Sequence, residues 1–152
     1  MITKSEMIME LVRALSMGNV DWLSRNLSED FEFFDSLVSK KMSKKEYVSF
    51  IENLHRGIPD LDFHVSDMRG KGDMVRCKFH LTGTNTGELT LPHLELYNVP
   101  PTGKCFSQTE ERAEVKVRDG KITAIRSTAT SKGDTPGMLR QLGIRVPELV
   151  RR

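Results

Sequence analysis

Apolar positions recur every third or fourth residue in the first part of the chain and every second residue from about residue 61 onward. That change of period predicts helices first and strands afterwards. Met7, Ile8, Leu11, Val12 and Leu15 form one helical stripe. Thr3-x-x-Glu6 ahead of it is a capping-box pattern, and Gly18 suits a helix stop. Asn19 can cap a second short helix carrying Val20, Trp22, Leu23 and Leu27, and Phe31, Phe33 and Phe34 predict an extended stretch ending at Asp35. Ser43-x-x-Glu46 is a second capping box, opening a helix with Tyr47, Phe50, Ile51 and Leu54 on one side and Gly57 and Pro59 at its end. Tyr47 and Trp22 read as core.

In the second part Leu61, Phe63 and Val65 share one side of a strand, and the same parity extends to Asp67. After a turn at residues 70–73, Val75, Cys77, Phe79 and Leu81 take one face, and Arg76, Lys78, His80 and Thr82 take the other. Residues 83–87 break that strand. Residues 88–101 are an apolar loop with Leu89, Leu91, Leu94, Leu96, Tyr97 and three prolines. It is either a lid over a cavity mouth or a loop packed onto the sheet. Thr135-Pro136 reads as the start of a short last helix with Met138, Leu139 and Leu142, stopped by Gly143.

The most informative stretch is the predicted hairpin from about Lys104 to Ser131. Asp119-Gly120 separates two alternating runs, a strong hairpin signal. On the first arm Val117, Val115 and Ala113 share a face, which extends backwards to Glu111 and Thr109. On the second arm Ile122 and Ala124 lead by the same parity to Arg126, Thr128 and Thr130. A buried charge is costly unless it is paired or neutralised, so polar residues continuing two core faces predict a lined cavity. Glu111 and Arg126 are then either an acid/base and its partner, or an ion pair closing the wide end of the fold. A carboxylate in an apolar pocket has its pKa raised towards working pH and can take a proton from carbon beside a carbonyl.

Composition narrows the classes. The chain has 152 residues, 38% hydrophobic and 29% charged, the make-up of one globular domain. We expect residues 1–144 to form that domain and 145–152 a tail. A net charge of +2 gives no argument for nucleic acid or an anionic membrane, and no apolar run approaches the ~18 residues of a membrane span. The acidic N-terminal stretch is unlike a signal peptide, so the expected location is cytoplasmic. Lys40, Lys41, Lys44 and Lys45 form a basic run, either a solvated loop or a phosphate contact. The two cysteines and four histidines have no metal-ligand spacing, and no nucleophile elbow, phosphate loop or dinucleotide fingerprint occurs. No metal and no cofactor are expected.

A series of short motifs carries a family resemblance. In order they are residues 58–65 (I-P-D-L-D-F-H-V), 72–75 (G-D-M-V), 83–88 (G-T-N-T-G-E), 100–104 (P-P-T-G-K), 117–122 (V-R-D-G-K-I) and 139–143 (L-R-Q-L-G). This series resembles the SnoaL-like polyketide cyclase family of the nuclear transport factor two-like superfamily, over about residues 5–144. The resemblance implies an α+β cone, a curved antiparallel sheet wrapped around N-terminal helices, in a homodimer. It implies a deep apolar pocket for a small hydrophobic molecule and an aspartate, near the end of the last strand, acting in a cofactor-free aldol closure. That aspartate's position falls at Thr130 here, with Asp134 four residues on; a family aromatic is Arg126 and a frequent histidine is Asn85.

The expected function is therefore a cofactor-free cyclase, isomerase or hydrolase. Glu111 and Arg126 are its catalytic candidates, and Asp35, Thr109, Thr128, Thr130 and Tyr97 its substrate contacts. The rivals are a non-catalytic binding protein for a small apolar ligand, and an interaction protein using the Arg76-Lys78-His80-Thr82 face or the basic segment.

Overall fold

The computed structural model describes residues 3–35, 38–128 and 135–145. Helices α1 (Lys4–Met17) and α2 (Val20–Asn26) come first. Both halves of the first capping box form: the Glu6 N–H donates to Thr3 Oγ1 at 3.1 Å, and the Thr3 N–H donates to Glu6 Oε1 at 3.2 Å. Gly18 takes the left-handed φ of 66° that ends α1. Strand β1 (Leu27–Asp35) follows, then β2 (Val38–Ser43) and α3 (Lys44–Gly57), whose Ser43–Glu46 box is also complete. The sheet continues with β3 (Asp62–Lys71), β4 (Met74–Thr84), β7 (Cys105–Ser107), β8 (Glu111–Arg118) and β9 (Lys121–Thr128). Between β4 and β7 lie the short strands β5 (Leu89–Leu91) and β6 (Leu96–Val99), and α4 (Thr135–Gln141) comes last.

Among the described residues the main sheet has seven strands in the order β2-β1-β9-β8-β4-β3, with β7 also on β4. It curls into a half-barrel around the helices, the expected α+β cone. Every pairing is antiparallel except β1 with β9, which is parallel. The hairpin β8–β9 turns as predicted: Asp119 and Gly120 both have positive φ, 52° and 75°, so two residues suffice.

One device recurs where facing departs from simple alternation. A β-bulge puts one extra residue on one strand and reverses the facing of everything beyond it. In β9, Val117 pairs with Ile122 but Lys116 pairs with Ala124, so Thr123 is the extra residue. Its hydroxyl donates to the Lys116 carbonyl at 3.4 Å. Beyond the bulge Ile125 and Ser127 are buried and Arg126 is exposed. Between β7 and β8, four steps from Ser107 to Glu111 face three from Thr82 to Phe79 on β4. Gln108 is therefore buried and Thr109 exposed, the reverse of the expected parity. In β3 the register jumps between Ser66 and Arg69, so Asp67 points out to Arg69 and Lys78 at 3.0 and 3.6 Å, and Met68 packs on the core instead.

The basic run is not a loop. Residues 38–43 form edge strand β2, and Lys41 pairs with Glu32 at 2.6 Å across it. Charges on an edge strand deter further strand pairing, which is why the segment reads as solvated.

The interior holds two clusters. The larger packs α1, α2 and α3 on the sheet through Ile8, Leu23, Leu27, Phe31, Ile51 and Ile122. The second joins Leu54 and Ile58 of the α3 end to Leu89, Leu91, Leu94, Met138, Leu139 and Leu142. The leucines of residues 88–101 thus form a small hairpin packed into a core of its own, where each full burial contributes about 1.5–3 kcal/mol. Tyr97 on that hairpin is 62% exposed and touches no interior space.

Candidate functional site

The cavity occupies the seam between the two clusters, over the concave face of the sheet. Pairing register lays out the floor in rows. Val75, Val115, Ile125 and Phe33 lie side by side on β4, β8, β9 and β1, and the last three reach the cavity. The next row is Cys77, Ala113 and Ser127, with the backbone of Asp35 paired to Ser127. The row after that begins with Phe79 and Glu111. The floor therefore passes from branched apolar side chains to small and polar ones along the strands. Helix α1 covers it with Ile8, Leu11, Val12 and Leu15, and α3 covers it with Tyr47, Phe50, Ile51 and Leu54.

The cavity measures about 100 Å³. That is below the roughly 300 Å³ where drug-sized ligand pockets begin. It has room for one ring, and a larger ligand requires the walls to part. Phe33, Phe50, Phe63 and Phe79 keep partial exposure because they line this space rather than packing solidly. Phe33 stacks on Tyr47 with centroids 4.7 Å apart.

Among the described residues five bring polar atoms to the walls: Tyr47, Cys77, Gln108, Glu111 and Ser127. Glu111 is 4% exposed, the acid that the period-two reading sends inward. Burial pushes the Tyr47 hydroxyl far above its ordinary range, so it stays protonated and can donate. Burial also pushes the Cys77 thiol up, which leaves it a poor nucleophile. Gln108 Oε1 has no hydrogen-bond partner, alone among the buried side-chain polar atoms of the described residues.

Other expected members fall elsewhere. Arg126 is on the convex face, its guanidinium 4.8 Å from the centre of the Phe34 ring, so it shares no space with Glu111. The cause is the Thr123 bulge. Thr109 and Tyr97 are exposed. The side chains of Asp35 and Thr128 lie outside the described residues, as do Thr130 and Asp134 altogether. Asn85 is fully buried but structural: its side-chain amide donates to the carbonyls of Gly57 and Gly87 at 3.1 and 2.9 Å, and its oxygen accepts from the Thr102 N–H at 2.8 Å. Among the described residues no three His, Cys, Asp or Glu side chains gather closely enough to hold a metal ion, and no helix is long and apolar enough to cross a membrane.

Sequence reasoning missed Gln108, Ser127 and the cavity role of Tyr47. Ser127 had a signal: Ile122 and Ile125 stand three apart in a strand, which one unbroken face cannot hold. Gln108 had none, because nothing in C-F-S-Q-T-E-E marks the extra residue.

Comparison with known proteins agrees with this architecture. The profile of the SnoaL-like polyketide cyclase family matches residues 6–142. A candidate SnoaL-like polyketide cyclase of Jannaschia sp. CCS1 superposes with a TM-score of 0.72 at 18% identity, covering 93% of this chain and 92% of its own. IdmH of Streptomyces antibioticus, a candidate polyketide cyclase, gives 0.69 at 23%, covering 92% and 98%. AclR of Streptomyces galilaeus, a candidate hydroxylase, gives 0.71 at 22%, covering 96% and 85%. Identities this low establish a shared fold. No curated protein matches the chain in sequence.

Proposed function

The chain belongs to the SnoaL-like polyketide cyclase family, and from that premise we propose a cofactor-free enolising enzyme acting on a small, mostly apolar carbonyl compound. Glu111 is its acid/base. The observation that carries this reading is a carboxylate 4% exposed on the wall of an otherwise largely apolar cavity. The Glu111 carboxylate takes a proton from the carbon beside a carbonyl, and the electron pair moves onto the carbonyl oxygen. Hydroxyl donors, Ser127 on the floor and Tyr47 on α3, hold that oxygen. In a ring closure the enolate carbon attacks a second carbonyl of the same molecule, one C–C bond forms, and the new alkoxide takes the proton back. No electrons leave the substrate, so no redox partner enters. Arg126 has no part in this scheme; Asp35, paired in backbone to Ser127, is a further candidate contact.

The test uses acetophenone, one ring with an enolisable methyl group. Deuterium uptake into that methyl group, followed by NMR in heavy water, is expected to exceed the buffer rate. Glu111→Gln is expected to lose about 10²–10⁴-fold of the excess. Undiminished uptake in Glu111→Gln removes Glu111 from the chemistry.

A second reading, a non-catalytic binding protein, is favoured by Thr130 standing where the family carries its aspartate. Binding of acetophenone with uptake no faster than buffer selects it. For assembly, we assign the convex face of β3, β4 and β8 to a second copy. Arg69, Arg76, Lys78 and Arg112 there surround Asp67 and Glu114 in a groove of about 520 Å³, a mixed set that can pair across a two-fold axis. A monomeric mass in sedimentation equilibrium removes that assignment.

A further inference from the structure

Residues 108–110 bridge β7 and β8, where the chain carries one residue more than β4 opposite it. The backbone there is held firmly. The Gln108 N–H donates to the Leu81 carbonyl at 2.9 Å, and the Ser107 N–H donates to Gln141 Oε1 at 2.9 Å. The Gln108 side chain is thereby committed inward, 5% exposed, on the cavity wall. Its amide oxygen nevertheless lacks a hydrogen bond. A buried, unpaired acceptor is costly, and almost all buried acceptors in folded proteins have a partner. An apolar side chain of similar length would fill the space at no such cost. The oxygen itself exposes almost no surface to the cavity, so a hydroxyl arriving with a ligand as the walls part would give it its missing donor.

We propose that Gln108 is a positioning residue: its Oε1 accepts a hydrogen bond from a hydroxyl on the edge of a ring whose face lies against Phe33 and Phe63. The favoured ligands are accordingly phenols and enols rather than hydrocarbons or ethers of the same size. This deepens the reading above and rests on the cavity being a ligand site, although not on Glu111 being the base. Gln108 selects and orients; the proton transfer belongs elsewhere on the wall.

The experiment is ligand-observed NMR titration of the whole chain with phenol, anisole and toluene, in wild type and Gln108→Leu. Toluene matches phenol in shape and reports the apolar cavity alone. In wild type phenol is expected to bind on the order of tenfold tighter than anisole, and in Gln108→Leu the ratio falls to about twofold or less, with toluene unchanged. A loss of general packing would weaken toluene as well, so the ratio separates positioning from structure. Should Gln108→Leu not fold, Gln108→Asn withdraws the amide by one methylene and is expected to give the same collapse. Toluene binding with no phenol preference, or a preference that survives both substitutions, overturns the role of Gln108 and leaves the cavity reading standing. No binding of any of the three overturns the cavity reading and this proposal together.

Discussion

Strands β8 and β9 are each eight residues long, share one two-residue turn and face the same cavity, yet only β8 keeps its alternation. In β8, Glu111, Ala113, Val115 and Val117 are buried in strict sequence, and the residues between them face out. In β9 the extra Thr123 breaks the count, so Ile122 and Ile125 are buried three residues apart. One inserted residue decides that a serine, and not an arginine, stands beside the second row of the floor. The lesson is about distance along the chain: alternation is trustworthy up to the first bulge and inverted after it.

The largest test of this contrast is insertion of one alanine between Ala124 and Ile125. The extra step turns Ile125 and Ser127 out and Arg126 into the cavity, whereas deleting Thr123 would heal the bulge and leave their facing unchanged. We expect the insertion to cost more than about 4 kcal/mol in urea unfolding, or to give no folded protein at all. An insertion variant within about 1 kcal/mol of wild type would show that the residue count along β9 does not set the facing. A milder test compares neighbours. Ile125→Ala empties a site 6% exposed and is expected to cost about 2–5 kcal/mol. Arg126→Ala removes only a surface cation over Phe34 and is expected to cost less than about 1 kcal/mol. The reverse order would restore the simple parity. The smallest effect is chemical. Cys77 lies inward on unbroken β4 with its thiol pushed up by burial, whereas Cys105 is exposed on β7. Maleimide should label Cys105 in the native protein and Cys77 only after denaturant is added. Equal native labelling would mean that the inner face of β4 is open.

Local chemistry was legible wherever a few adjacent residues decide the outcome. Two capping boxes, the Gly18 stop and the Asp119-Gly120 turn all formed as their spacing predicts. The inward face of β4 and the burial of Glu111 followed from period two alone. Edge strand β2 was not legible, because its run of lysines reads like a solvated loop. Nor was the β5–β6 hairpin, whose leucines state that they must be covered without stating by what; α3 and α4 supply the answer.

Apart from β2 and the β5–β6 hairpin, the amino-acid order determined on its own which segments are helix and which strand, where most of them stop, and that an acid would lie against apolar neighbours. These follow from side-chain period, caps and turn residues acting within a few positions of one another. Only the tertiary structure decided the parallel closure of β1 on β9, the register slips in β3, between β7 and β8 and in β9, and hence which polar groups line the cavity with Glu111. A bulge is chosen by how two strands distant in sequence must match as the sheet curls, and no pattern within either strand alone contains that match.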